Sequence, residues 1–255
     1  MIIAASALLG LLIGSFLNVV IARVPAGGSV VHPPSHCPEC GRTLTWSENI
    51  PIVSWVVQRG RCRGCATAIS VRYPIVEAAC ALLFAAVAAR IGWHVDLAAH
   101  LVAVAGLLAL AVIDLDTKRL PDKVLGPTTA ATALLLGLAA LVDDRWGDLG
   151  RSALGALLGF GILLLIHLAK PAGMGFGDVK LAFLCGLVLG WHGLADVAIG
   201  LYGGFVLGAV VGVALIAAKR ASFGRAIPFG PFLAAGTVGM VLFGEPLADA
   251  ARDLF

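Results

Sequence analysis

Apolar runs long enough to cross a lipid bilayer restrict the fold of this chain more than any other feature. A helix needs about 20 residues to cross the hydrocarbon core of a membrane. Only 13% of the residues are charged, whereas a soluble domain carries about 25%. This composition argues against a soluble globular enzyme, a disordered chain and a collagen-like chain. The 255 residues contain eight candidate spans, which run over 2–22, 74–91, 97–113, 124–142, 152–169, 179–196, 199–218 and 229–248.

The placement of basic residues predicts the orientation of the chain in the membrane. Eight spans put alternate loops on opposite sides, and one set of loops contains 14 of the 18 Lys and Arg residues. Because cytoplasmic loops are enriched in Lys and Arg, we predict that this set is cytoplasmic and that both termini lie outside. The net charge of +3 is too small to indicate a nucleic-acid partner. The cytoplasmic set consists of loops 23–73, 114–123, 170–180 and 219–228.

The chain is predicted to divide into a first transmembrane helix, a cytoplasmic loop and a seven-helix membrane domain, over 1–23, 24–73 and 74–255. The first stretch lacks the basic segment of a signal peptide, so we expect it to remain as a span.

Two Cys-x-x-Cys pairs lie in the cytoplasmic loop. Twenty-one residues separate them, which is close to the spacing of a Cys₄ zinc site. We expect Gly41 and Gly64 to let the two turns curl without a Cβ clash. Disulfides or free thiols are the alternatives, and a reducing cytoplasm argues against disulfides. The predicted metal ligands are Cys37, Cys40, Cys62 and Cys65.

The loop is too short to bury a core of its own, so a metal ion can supply its folding free energy. The predicted fold class is therefore an all-α polytopic membrane protein with about eight transmembrane helices and one cytoplasmic Cys₄ zinc-knuckle loop.

Two acidic segments, 114–122 and 173–180, lie at the cytoplasmic ends of predicted spans. Carboxylates at membrane depth are costly and mark candidate functional sites. If the two segments face each other, two neighbouring carboxyl groups share one proton. The ionised group can then take a proton from water while the protonated group donates to a carbonyl oxygen. That is peptide hydrolysis of the aspartic type.

Three glycines alternate before Asp178, and we expect a bare extended backbone at Gly175–Gly177 that pairs with a substrate strand. A flexible loop with a solvated Asp178 is the alternative. On a helix, residues two apart point about 200° apart, so Asp114 and Asp116 cannot both face one site. We expect Asp122 to cap the next helix.

These motifs together resemble those of the type IV prepilin peptidases, the bacterial leader peptidases of type IV pilus and type II secretion systems. The family's GxGD element reads Gly175-Phe176-Gly177-Asp178 here, and its partner element ends in Leu-Pro-Asp at Asp122. The two cysteine pairs are similar to those of the longer members. Further matches are Gly14-Ser15-Phe16-Leu17-Asn18-Val19-Val20, Arg23-Val24-Pro25 and Pro228-Phe229-Gly230-Pro231.

The resemblance implies an aspartic endopeptidase of the bacterial inner membrane with no metal at the peptidase site. Its catalytic residues would be Asp114, eight residues before Asp122, and Asp178. The substrate would be a prepilin or pseudopilin whose short basic leader is cut on the cytoplasmic side. The resemblance also implies N-methylation of the new N-terminus with S-adenosylmethionine, an activity with which the cysteine loop is associated. The residues do not assign a binding site for that methyl donor.

Other functional classes make different demands on the sequence. A proton- or cation-coupled transporter favours acidic residues near mid-membrane and an internal repeat, and neither is found here. A zinc-dependent membrane enzyme needs an open coordination position, which four cysteines do not leave. A binding scaffold with a zinc knuckle leaves both aspartate motifs unexplained. A peptidase without methyltransferase activity is compatible with the sequence.

Overall fold

A computed structural model describes residues 1–218 and 227–252. Most of the predicted loop 219–228, with its basic residues Lys219, Arg220 and Arg225, lies outside the described residues. The described part is helical and contains no β-strand. Its α-helices are α1 (Ile2–Arg23), α2 (Val53–Val57), α3 (Arg72–Ile91), α4 (Leu97–Thr117), α5 (Asp122–Asp143), α6 (Trp146–Ala169), α7 (Phe176–His192), α8 (Leu194–Ala217) and α9 (Gly230–Arg252).

All helices except the short α2 coincide with predicted spans, which confirms the all-α membrane fold. Among the described residues, six helices are long and apolar enough to cross a membrane: α1, α3, α4, α5, α6 and α8. The apolar part of α9 is shorter, at Gly230–Gly244, and α7 has 17 residues. Gly193 alone separates α7 from α8, so the predicted boundary between these two spans was placed too far along the chain.

The chain folds as two compact units, Met1–Trp93 and His94–Phe255, called here unit 1 and unit 2. In unit 1, α1 packs along α3. In unit 2, α6 packs on α7, α8 packs on α9, and α4 packs on both α5 and α9.

Glycines at helix crossings allow close approach in both units. A Cβ atom on Gly10 of α1 would lie 2.7 Å from Ala81 Cα of α3. In unit 2, a Cβ atom on Gly186 of α7 would lie 2.1 Å from the carbonyl oxygen of Gly155 in α6. Each of these glycines belongs to a Gly-x-x-x-Gly spacing, which is typical of closely packed membrane helices. This signal is visible in the sequence, but it does not reveal which helices meet.

Candidate functional site

The four cysteines of the loop come together in unit 1. Their Sγ atoms all lie within 4.8 Å of one another, and Cys37 Sγ is 3.8 Å from Cys65 Sγ. A tetrahedral ion with zinc–sulfur bonds of about 2.3 Å needs sulfur atoms about 3.8 Å apart. None of the cysteines forms a disulfide. The cluster can therefore hold a metal ion such as zinc.

Two matching turns place the sulfur atoms. In each turn the N–H of the first cysteine donates to a carbonyl oxygen five residues further on, at 2.9 Å. Gly41 adopts the left-handed conformation, with φ 69°, as expected. In the second turn the left-handed residue is Ala66, with φ 59°. Gly64 avoids a close contact there, since a Cβ atom on it would lie 3.1 Å from Arg42 Nε.

Hydrogen bonds to the sulfur atoms of Cys62 and Cys65 favour the thiolate form that binds metal ions. The backbone N–H groups of Cys65 and Gly64 donate to the Cys62 sulfur and lower the pKa of that thiol to about 6. The Thr67 hydroxyl lies 3.3 Å from Cys65 Sγ and lowers the pKa of the Cys65 thiol.

An ion pair with a buried carboxylate lies beside the cluster. Glu48 accepts hydrogen bonds from Arg42 Nη2 at 2.5 Å and from the N–H of Thr45 at 3.0 Å. These bonds lower the pKa of the Glu48 carboxyl to about 2. Arg42 also donates to the Cys62 sulfur, so its guanidinium partly offsets the negative charge of that thiolate.

In unit 2 the structure places Asp114 and Asp178 together. Asp114 lies in the last turn of α4 and Asp178 in the first turn of α7. Their exposed fractions are only 5% and 8%, and the two carboxyl groups lie within electrostatic range of each other. Asp116 is exposed, because two residues along a helix turn a side chain to the opposite side.

The start of α9 holds Asp114 in position. The N–H of Gly230 donates to Asp114 Oδ2 at 3.0 Å. A Cβ atom on Gly230 would lie 2.9 Å from the same oxygen, so this contact requires glycine. The sequence analysis missed this role, and its only signal was the Pro228–Pro231 motif.

Asp178 has a free acceptor. Its Oδ1 atom is buried and makes no hydrogen bond to the described residues. Its backbone N–H donates to the carbonyl oxygen of Gly175 at 3.1 Å, so the helix start itself is satisfied. A buried polar atom without a partner calls for a water or a ligand.

The expected extended backbone at Gly175–Gly177 is wrong. Only Met174 and Gly175 are extended, and α7 already begins at Phe176. Gly177 serves packing instead, since its Cβ would lie 3.0 Å from Leu120 Cβ. Leu120 also lies against Gly230, so three segments converge beside the two aspartates.

Polar contacts link the segments around Asp114 and Asp178. Lys180 Nζ donates to both carboxylate oxygens of Asp122, at 2.7 and 2.8 Å. The expectation that Asp122 caps α5 is wrong, because the cap residue is Pro121 and the Asp122 side chain turns to Lys180. His167 Nδ1 lies 2.8 Å from the carbonyl oxygen of Met174 and ties the end of α6 to the segment before α7.

Comparisons with known proteins divide the chain in a similar way. The family described as "Bacterial Peptidase A24 N-terminal domain" matches residues 8–91, which include the cysteine cluster. The "Type IV leader peptidase family" matches residues 101–217, which include both aspartates. No solved structure matches the chain.

Several relatives carry the name prepilin leader peptidase/N-methyltransferase. One from Myxococcus xanthus is 43% identical over 226 residues, which are 86% of this chain and 64% of the relative. One from Pseudomonas putida is 38% identical over 99% of this chain and 94% of its own length. One from Aeromonas hydrophila is 38% identical over 94% of this chain and 90% of its own length. The chain thus spans less than two thirds of the first relative and most of the other two.

Proposed function

The chain belongs to the type IV leader peptidase family, and on that premise we propose that it is an aspartic endopeptidase that removes the leaders of type IV prepilins or pseudopilins. We also propose that it methylates the new N-terminus, as the double name of its relatives suggests. The observation that carries the peptidase proposal is the buried pair of carboxyl groups at Asp114 and Asp178, one of which keeps an unpaired oxygen.

The two carboxyl groups supply an acid and a base for peptide hydrolysis. Asp114 and Asp178 share one proton. The ionised carboxylate takes a proton from a water molecule, whose oxygen attacks the scissile carbonyl carbon, while the protonated group donates to the carbonyl oxygen. The C–N bond then breaks and the leaving amine takes up a proton. Because a coupled pair titrates as a unit, the acid and base roles belong to the pair.

The proposed location is the bacterial inner membrane, with the active site facing the cytoplasm. The helices that can cross a membrane and the basic loops 114–123 and 170–180 support this orientation. The apolar helix of the substrate would enter from the bilayer while its leader stays in the cytoplasm.

The cysteine cluster has a structural role in this proposal. Four sulfur ligands close the coordination sphere of a zinc ion, so the ion would hold the loop together rather than activate water. S-adenosylmethionine is the proposed methyl donor. The peptidase reaction draws its acid and base from carboxyl groups and needs no metal at that site.

A cleavage assay tests the proposal. The purified protein in detergent is given a prepilin-like peptide with a Gly–Phe junction, and mass spectrometry detects both the cut and the added methyl group. We expect Asp114→Asn and Asp178→Asn each to lower cleavage by about a thousandfold or more. The matched control is Asp116→Asn, which we expect to cleave normally.

Two results would contradict this assignment. Loss of cleavage in Asp116→Asn with cleavage retained in Asp114→Asn would mean that Asp116, rather than Asp114, is the catalytic partner of Asp178. Absence of cleavage by folded wild-type protein would favour the transporter alternative.

A further inference from the structure

Unit 1 contains a cavity that the peptidase chemistry does not use. Its volume is about 440 Å³, and its lining residues all lie between Ser15 and Glu77. They come from α1, the cysteine loop, α2 and the start of α3. Pockets for small molecules have volumes of about 300–1,000 Å³, so this cavity has the size of a binding site.

A buried carboxylate lines the cavity. Glu77 is 7% exposed, and its Oε2 accepts the N–H of Ile52 at 2.7 Å. The Ser15 hydroxyl also donates to it. Within residues 1–218 and 227–252 no ion pair joins Glu77 to a basic side chain. A buried charge without a partner is costly, so the site favours a ligand that brings a positive charge.

A guanidinium without an acidic partner lines the same cavity. Arg23 donates to the carbonyl oxygens of Ser29 at 3.2 Å, Pro33 at 2.7 Å and Pro34 at 3.4 Å. Within the described residues it forms no ion pair with an acidic side chain. A carboxylate and a guanidinium at one cavity, each without an opposite charge of its own, match a ligand that carries both signs.

Aromatic and polar groups complete the lining. The indole of Trp55 is fixed by its N–H, which donates to the carbonyl oxygen of Ile69 at 3.1 Å. Tyr73 is held by Asn18, whose amide donates to its carbonyl oxygen at 3.1 Å. Aromatic faces suit a purine ring and also attract a cation.

We propose that this cavity binds S-adenosylmethionine, with Glu77 facing its sulfonium group, Arg23 its carboxylate, and Trp55 and Tyr73 its purine. The inference rests on the proposed methyltransferase activity. Bound there, S-adenosylmethionine would supply a methyl group carried on a cationic sulfonium, and that charge is what the buried carboxylate selects. Cys37 and Cys62 line the cavity as well, so a metal ion bound by the cysteine cluster would hold one of its walls in place.

Equilibrium binding to the full-length protein in detergent tests the site. The probes are radiolabelled S-adenosylmethionine and S-adenosylhomocysteine, whose sulfur is uncharged. Gln at position 77 keeps an acceptor for the Ile52 N–H but loses the charge. We expect Glu77→Gln to weaken S-adenosylmethionine binding about tenfold and S-adenosylhomocysteine binding much less. The matched control is Asp143→Asn, which makes the same kind of change at an exposed carboxylate. We expect it to leave the binding of both probes unchanged.

A second variant fills the cavity without removing a contact. Ser54 lines it, and its hydroxyl makes no hydrogen bond within the described chain. We expect Ser54→Phe to abolish binding of both probes while metal content and helix content stay at wild-type values. Photocrosslinking of the radiolabelled donor to wild-type protein is expected to mark peptides within residues 15–77.

Three results would overturn the inference. They are unchanged binding in both variants, a crosslink in unit 2, and wild-type protein that cleaves the prepilin peptide but does not bind the donor. Cleavage is scored on the same preparations, so failure of the peptidase proposal is seen separately. Binding in the cavity without cleavage would support this site and count against the peptidase.

Discussion

The two units hold their chemical groups in place by opposite means. In unit 1 the four cysteines lie in a long loop with one 3₁₀ turn and the five-residue α2 as its helical structure. In unit 2 the two aspartates lie at the ends of long helices that pack closely through glycine contacts. An ion can organise a segment that buries few apolar side chains, whereas carboxyl groups on helix ends take their positions from helix packing. The comparison suggests that each site can be disturbed while the other survives.

Removal of the metal should have the largest effect and should be confined to unit 1. Structural zinc sites contribute about 10 kcal/mol or more to folding. We expect chelation, or Cys62→Ser, to unfold the loop while most of the helix content remains. Two of the five tryptophans, Trp46 and Trp55, lie in the loop, so a change in tryptophan fluorescence reports its unfolding. Circular dichroism reports the helices, and elemental analysis gives the metal content.

The control for metal removal is Cys185→Ala, which removes a buried thiol of α7 outside the cluster and should keep the metal. An unchanged fluorescence signal after complete loss of metal would show that the loop does not depend on the ion.

Gly230→Ala should disturb only the aspartate pair. The added methyl group would lie 2.9 Å from Asp114 Oδ2, so the carboxyl group must shift. Small misplacements of catalytic groups cost roughly a hundredfold in rate. We expect kcat for prepilin cleavage to fall by about that factor while the metal content stays the same. Gly239→Ala, in the same helix with open space around its Cβ, is the matched control. Equal cleavage rates for the two variants would show that Gly230 does not position Asp114 for catalysis.

Gly186→Ala should weaken the packing on which the unit 2 site depends. Its methyl group would meet the Gly155 carbonyl oxygen at 2.1 Å, and overpacking of this kind costs about 1–3 kcal/mol. Gly161→Ala faces open space and should be neutral or slightly stabilising, because alanine favours a helix. Thermal unfolding in detergent compares the two variants. A lower melting temperature for Gly161→Ala than for Gly186→Ala would contradict the packing interpretation.

The smallest expected effect is a pH-dependent contribution of the Arg42–Glu48 pair to the thermal stability of the loop. The hydrogen bond from Arg42 lowers the pKa of Glu48 from 4.5 to about 2. A carboxyl group whose pKa falls on folding stabilises the fold above its unfolded pKa and loses that contribution as the pH falls through its folded pKa. We expect Glu48→Gln to unfold at a lower temperature than wild type at neutral pH. The difference should shrink as the pH falls from about 4.5 to about 2.

Thermal scans followed by tryptophan fluorescence measure this difference in the loop. Acid also protonates the cysteines of every variant, so only differences between variants are interpreted. Glu39→Gln removes an exposed carboxylate of the same loop and should follow wild type at each pH. A difference that persists undiminished at low pH would mean that Glu48 acts through packing rather than charge.

The positions of the helices could be predicted from the sequence, because a bilayer demands long apolar runs whatever their partners. The cysteine cluster could be predicted for a related reason. Two Cys-x-x-Cys pairs are local turns, and a tetrahedral ion needs little more than their proximity. Local chemistry also made Asp178 a candidate, since a GxGD motif at a helix start is visible along the chain.

Only the tertiary structure decided which distant groups share the same space. Nothing near Gly230 in the chain indicates that its N–H binds Asp114, and Lys180 and Asp122 are 58 residues apart. Ala66, rather than Gly64, takes the left-handed position because of the way the second turn folds. Hydropathy and motif spacing report each segment by itself, whereas a contact depends on which helices pack together and at what depth. For this reason the sequence by itself determined the spans and the chemical groups, and the packing decided how those groups are paired.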